Sequence, residues 1–133
     1  MLPPDQDPPT NALPTSFLSS VRIAVLGFVH GARNERSIQR NLLALFGLLP
    51  LVVVLPVGRL EHLVLVLSMM LVVLVEFINS AVERTVDRIS NETHPLSKAA
   101  KDLASAAVLV AVLMSGLCWT VIAGPVLFML LFS

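Results

Sequence analysis

Glu76 lies inside one of the most apolar stretches of the chain, HLVLVLSMMLVVLVEFINSAVERTVDRI, with no basic residue close to it. An ionisable group at membrane depth is costly, so it faces a protein interior or a wet cavity and has a task there. Asn79 follows at i+3, Glu83 at i+7 and Asp87 at i+11. At 3.6 residues per turn the four share one stripe of a helix. A polar stripe that begins in an apolar helix and runs toward its basic end describes a site at a membrane surface. Glu76, set deep, is placed to take a proton from a lipid hydroxyl. Glu83, about 10 Å further along the axis, is too distant to share a proton with it and suits the binding of a cation. Glu35, in GARNERSIQRN, adds a second carboxylate if that segment folds against the helix of Glu83. Two carboxylates there form a hard-oxygen pair that suits magnesium bridged to phosphates. Lys101 can supply positive charge for the same phosphates. The chemistry implied is phosphoryl transfer from a soluble donor to a lipid alcohol.

Each residue also has a structural reading. Arg84, Asp87 and Arg88 can be a solvated helix end with local ion pairs. Glu35 can pair with Arg36 or Arg40, and Asn79 can be a polar link between helices. His30 reads as a solvated surface imidazole, Glu61 as a solvated charge and Cys118 as an inert thiol. The chain has no GxxxxGK[ST] loop, no Rossmann glycine pattern and no HRD or DFG signature. A nucleotide pocket here is therefore of another kind.

The elements that must hold these groups follow from composition. Of 133 residues, 56% are apolar and 14% charged, against about 25% charged in soluble domains. Mean hydropathy is +0.85. This is the composition of an integral membrane protein, and zero net charge argues against nucleic acid as a partner. Residues 1–16, MLPPDQDPPTNALPTS, are proline-rich and read as disordered, without the pattern of a signal peptide. Residues 17–133 read as one membrane domain. Phe17 to Ala32 reads either as an interfacial helix, with Phe17, Val21, Val25 and Phe28 toward lipid, or as an irregular surface segment.

Three apolar runs then predict spans of about 38–57, 62–86 and 101–125. Pro50 interrupts the first, and Gly124 and Pro125 lie at the outer end of the third. Arg22, Arg33, Arg36 and Arg40 precede the first span, and Arg84, Arg88, Lys98 and Lys101 lie between the second and third. Only Arg59 falls on the other side. The positive-inside rule places the N-terminus in the cytoplasm. Ala100, Ala104, Ala107 and Ala111 give the third span a small-residue face for close helix packing. Three helices make a thin wall, so the site is expected to form between subunits.

The words VEFINSAVERTVDRIS (75–90), NE (34–35), ETHPLS (92–97) and AKDLASAAVLVA (100–111) resemble the small integral-membrane diacylglycerol kinase family of bacteria, which includes the undecaprenol kinases. The resemblance covers about residues 17–123. It implies an all-α integral membrane fold with three transmembrane helices and an N-terminal amphipathic surface helix. It also implies a homotrimer in the bacterial inner membrane, with active sites between protomers on the cytoplasmic side. The activity implied is ATP-dependent, magnesium-assisted phosphorylation of a lipid alcohol. By resemblance Glu76 matches the catalytic base and Asn79 its companion, while Glu35 and Glu83 match the metal carboxylates of the ATP complex. Glu92, His94, Lys101 and Asp102 match the nucleotide-contacting segment, and Ser105 a position near the lipid substrate.

The chain departs from the family after Asn34-Glu35. Asn41 stands where the family often has a carboxylate, and the basic residue moves from position 39, here Gln39, to Arg40. Ser16 and Ile23 replace the usual arginine and tyrosine contacts to nucleotide. Val-Asp-Arg-Ile at 86–89 favours diacylglycerol as substrate, while His-Pro-Leu at 94–96 also occurs in the undecaprenol group. Outside this family, one intramembrane glutamate also fits an ion-translocating subunit or an accessory membrane protein, but neither accounts for Glu35, Glu83 and Lys101.

Overall fold

The computed structural model describes residues 17–89 and 94–132. The chain folds into four helices: α1 (Phe17–Asn34), α2 (Arg36–Val54), α3 (Arg59–Ile89) and α4 (Pro95–Phe132). The last three are long and apolar enough to cross a membrane. The protein is thus an all-α integral membrane protein.

α1 is a helix rather than an irregular segment. It stops at Asn34 because Glu35 takes an extended conformation (φ −108°, ψ 112°) at the head of α2. Gln39 spans the break and donates from Nε2 to the carbonyl of Arg33 at 2.9 Å. That bond satisfies one of the acceptors a helix end leaves open, so the residue replacing the family's basic group has a structural use.

α2 begins at Arg36, so Ile38 and its turn do extend the short first apolar run. Pro50 lies within the helix, which continues past it to Val54. One lost backbone bond costs less than exposing a run of open backbone groups in hydrocarbon. The helix ends at Val54 rather than near 57. The same argument covers Pro125, which α4 passes without ending until Phe132, beyond the expected boundary near 125.

α3 is capped at its start: the Gly58 N–H donates to Glu61 Oε2 at 2.6 Å. Glu61 is therefore the reach-back partner of a helix N-terminus, not merely a solvated charge. The 31 residues of α3 measure about 46 Å at 1.5 Å per residue, against a hydrocarbon layer of about 30 Å. The excess is long enough for the polar end of the helix to extend beyond the apolar layer.

α3 is the hub, packing against both α2 and α4. Away from α1, Val52, Leu55, Leu65 and Ala123 form a buried cluster against Trp119 and Ile122. Nearer the middle, buried Ser68 donates to the Leu65 carbonyl and lies 3.3 Å from Ser115 Oγ on α4. Of the alanine face on α4, Ala111 is buried, Ala100 and Ala104 are half-buried and Ala107 is exposed. Only part of that face is used within one chain.

α1 docks on α3 through Phe28, whose ring stacks on Phe77 with centroids 5.3 Å apart. Phe28 was expected to face lipid with Phe17, Val21 and Val25. All four are exposed, Phe28 at 48% and Val21 at 43%, although the Phe28 ring also stacks on Phe77. Gly31 is buried at the same contact. A Cβ there would run into the Phe77 ring and lie 3.0 Å from Cδ1 of Ile38, itself fully buried. Glycine is needed because the Phe77 ring of α3 lies across this position.

Candidate active site at the α1 end of the bundle

The first half of the polar stripe of α3 is buried, while Glu83 is half-buried and Asp87 exposed. Glu76 is only 5% exposed and Asn79 8%, and Ser80 is buried beside them. No hydrogen bond or ion pair engages the Glu76 carboxylate among the described residues. A buried acid without a partner costs several kcal/mol unless a ligand or proton completes its surroundings. Asn79 is oriented by its neighbour one turn on: Nδ2 donates to Glu83 Oε1 at 3.1 Å. Its Oδ1 is buried with no donor facing it among the described residues. The stripe thus carries a carboxylate, Glu83, steadied by an amide, with an unused acceptor and an unused acid above it.

Glu35 comes to this stripe from a different element. Its backbone occupies the N-cap position of α2, yet its side chain makes no capping bond. It crosses instead to α3, where Oε1 accepts from Nε of Arg84 at 2.7 Å and lies 2.5 Å from Nη2. Arg84 is next to Glu83 in sequence. Glu35 therefore reaches α3 at the intended level, but it meets the arginine rather than Glu83 itself, and not Arg36 or Arg40. The reading of Arg84 as part of a locally paired helix end is corrected here: its partners are Glu35 and His30. Attraction between opposite charges on adjacent helices accounts for the change. His30 is likewise not simply solvated, since Nε2 lies 3.0 Å from Arg84 Nη1.

The remaining expected site residues divide. Lys101 on α4 is bound to Asp87 on α3 at 2.5 Å, which ties the fourth residue of the stripe to the expected phosphate cation. Asp102 pairs with Lys98 one turn earlier on α4. His94 heads α4: its Nδ1 accepts from the Leu96 N–H at 3.2 Å, and its carbonyl accepts from the Lys98 N–H. That places His94 in a helix cap. Ser105 is exposed on α4 and makes no hydrogen bond to the stripe. Glu92 lies outside the described residues.

The donor set fits magnesium brought in by a nucleotide. That ion keeps several waters and takes one or two protein carboxylates besides phosphate oxygens. Glu35 and Glu83 are hard-oxygen donors at one end of the bundle. Among the described residues no group of three His, Cys, Asp or Glu side chains forms an all-protein cage.

Arg84 and His30 are the residues that sequence reasoning missed. The stripe spacing gave no sign of them, because Arg84 lies off the line through Glu76 and Glu83. The only available signal was the helix break at Asn34-Glu35, which turns Glu35 toward α3.

A helical membrane bundle with a buried acid and two further carboxylates gathered at one end defines a small membrane-embedded enzyme. The sequence profile of prokaryotic diacylglycerol kinase matches residues 22–123. A diacylglycerol kinase of Pseudomonas aeruginosa is 38% identical over 106 residues, covering 80% of this chain and 86% of that protein. A diacylglycerol kinase of Haemophilus influenzae is 34% identical over 105 residues, covering 79% and 89%. A diacylglycerol kinase of Escherichia coli is 46% identical over 68 residues, covering 51% and 56%. The chain belongs to the prokaryotic diacylglycerol kinase family. It is a lipid kinase, a phosphotransferase acting on a lipid hydroxyl.

Proposed function

We propose that the protein transfers the γ-phosphoryl group of MgATP to diacylglycerol, giving phosphatidic acid and ADP. The reaction takes place at the cytoplasmic face of a bacterial inner membrane, in a homotrimer with its N-termini in the cytoplasm. The observation that carries this reading is Glu76, 5% exposed and without a partner inside an apolar helix, on one stripe with Asn79 and Glu83. The names of the relatives support diacylglycerol as the lipid, and the distribution of basic residues supports the orientation.

The steps assign one role to each group. Glu76 accepts the proton of the lipid hydroxyl as its oxygen approaches the γ-phosphorus. The new O–P bond forms as the bond from the γ-phosphorus to the bridging oxygen of ADP breaks, and ADP leaves with that electron pair. Glu35 and Glu83 would hold the magnesium that accompanies the nucleotide, an ion that would offset the charge of its phosphates. Asn79 keeps Glu83 turned toward that position. His94, Lys101, Asp102 and Glu92 flank the nucleotide, and Ser105 the lipid. α1 and neighbouring protomers complete the walls that a single thin bundle leaves open.

The test is phosphate transfer by the purified protein in detergent, with diacylglycerol and a polyprenol offered separately. Phosphorylation of diacylglycerol in preference to the polyprenol supports the reading. Preference for the polyprenol places the chain with the undecaprenol kinases. Transfer that proceeds equally well without magnesium removes Glu35 and Glu83 from the assigned roles.

A further inference from the structure

Arg84 is the one described cation gripped from outside its own helix by two partners, Glu35 at the α1–α2 junction and His30 on α1. The contacts define its hydrogen-bonding state. Arginine only donates, so Nε2 of His30 accepts and the imidazole proton sits on Nδ1. Asn34 Nδ2 then has the His30 carbonyl, 2.9 Å away, as its acceptor. A guanidinium carries five N–H groups. Glu35 and His30 engage one on each nitrogen, leaving a second hydrogen on Nη1 and another on Nη2. The Arg84 side chain is 53% exposed, so these hydrogens remain open to a ligand.

The cation expected to meet phosphates is less free. Lys101 is bound to Asp87, and Lys98 to Asp102. Arg84 is bound to Glu35, one of the carboxylates assigned to the metal, and follows the other, Glu83, by one residue on α3. A planar fork of N–H groups suits phosphate oxygens better than an ammonium does.

We propose that Arg84 binds the triphosphate of the nucleotide, and that His30 is a positioning residue holding its guanidinium from behind. This inference rests on the nucleotide reading above and adds to it a binding residue outside the Glu76 stripe. The metal–nucleotide complex is a net anion, so a guanidinium fixed beside Glu35 favours its arrival. α1 thereby contributes to nucleotide affinity through His30 without a side chain of its own on the ligand.

The test uses the full chain in detergent and two readouts. One is equilibrium binding of the magnesium complex of a non-hydrolysable ATP analogue, and the other is the pair of KM values for MgATP and for lipid. Arg84→Gln is expected to weaken analogue binding about tenfold and raise the KM for MgATP to match, with the KM for lipid unmoved. Arg84→Lys is expected to recover part of the loss. His30→Ala is expected to weaken binding about threefold, and the double variant to bind no more weakly than Arg84→Gln alone, because His30 acts through Arg84. If Arg84→Gln does not assemble, Arg84→Lys and His30→Ala carry the comparison. Wild-type analogue affinity in the Arg84 variants, or a change in thermal stability alone, overturns the proposal and leaves a tie between α1 and α3. Analogue binding without lipid phosphorylation by the wild type defeats the proposed function, while the Arg84 comparison still decides this inference.

Discussion

At the residue scale the site contains two unfinished groups, the carboxylate of Glu76 and the Oδ1 of Asn79. Buried polar atoms are ordinarily satisfied, so an orphan pair on one helix face marks a place where a ligand supplies the missing partners. Asn79 gives the sharper prediction because its two ends do different things. Replacing it with alanine removes the donor to Glu83 Oε1 and the unsatisfied acceptor together. A hydrogen bond of this kind is worth about 1 kcal/mol, and losing the orphan acceptor offsets that loss. The expected outcome is a stability change within about 1 kcal/mol in a denaturant titration, with a clear rise in the magnesium concentration needed for half-maximal turnover. Large destabilisation with an unchanged magnesium requirement would make Asn79 a packing residue instead.

At the scale of elements, the proposed role of Arg84 depends on α1 staying against α3. That contact consists of the Phe28–Phe77 stack, the glycine at 31 and the Arg84 contacts. Gly31→Ala forces a methyl group against Phe77 and Ile38. Overpacking of this kind costs about 1–3 kcal/mol, and here it falls on one contact rather than on the whole bundle. Hydrogen exchange is expected to show faster exchange in α1 while α3 and α4 keep their protection. Uniform loss of protection would mean that α1 is integral to the core. A milder change is expected at Ser68, where alanine removes a 3.3 Å contact to Ser115 worth under about 1 kcal/mol between membrane helices.

These elements also show what a sequence can reveal. The spans were legible because apolar runs and basic flanks are dictated by the bilayer, and the Glu76–Asn79–Glu83 stripe because helical periodicity is local. The contacts of Arg84 and His30 and the stack of Phe28 on Phe77 were not legible, since each depends on how α1 folds back on α3. Pro125 misled the end of the third span because proline preferences measured in water understate how strongly an apolar medium holds a backbone helical.

At the scale of the molecule, a single chain buries little of itself. Over their most apolar windows α2 and α4 are only 11% buried, against 33% for the central α3. The outer faces carry Leu43, Phe46, Val53, Leu109, Leu113 and Leu117 to the surface, and Ala107 of the small-residue face is left open. Lipid covers part of this, and neighbouring copies are expected to cover the rest. The 14.4 kDa chain is expected to run in detergent as a trimer, about three times the chain mass after correction for bound detergent, when measured by light scattering. A fully active monomer would mean that one chain encloses the whole site.

Phosphate transfer by Glu76→Gln, with γ-labelled ATP and diacylglycerol, tests the central claim most directly. The substitution keeps the size of the side chain and removes its ability to accept a proton. The account predicts turnover at least about 100-fold below the wild type, with assembly and binding of the nucleotide analogue intact. Turnover close to wild type in a well-assembled Glu76→Gln protein would contradict it, because the buried acid would then have no part in the chemistry.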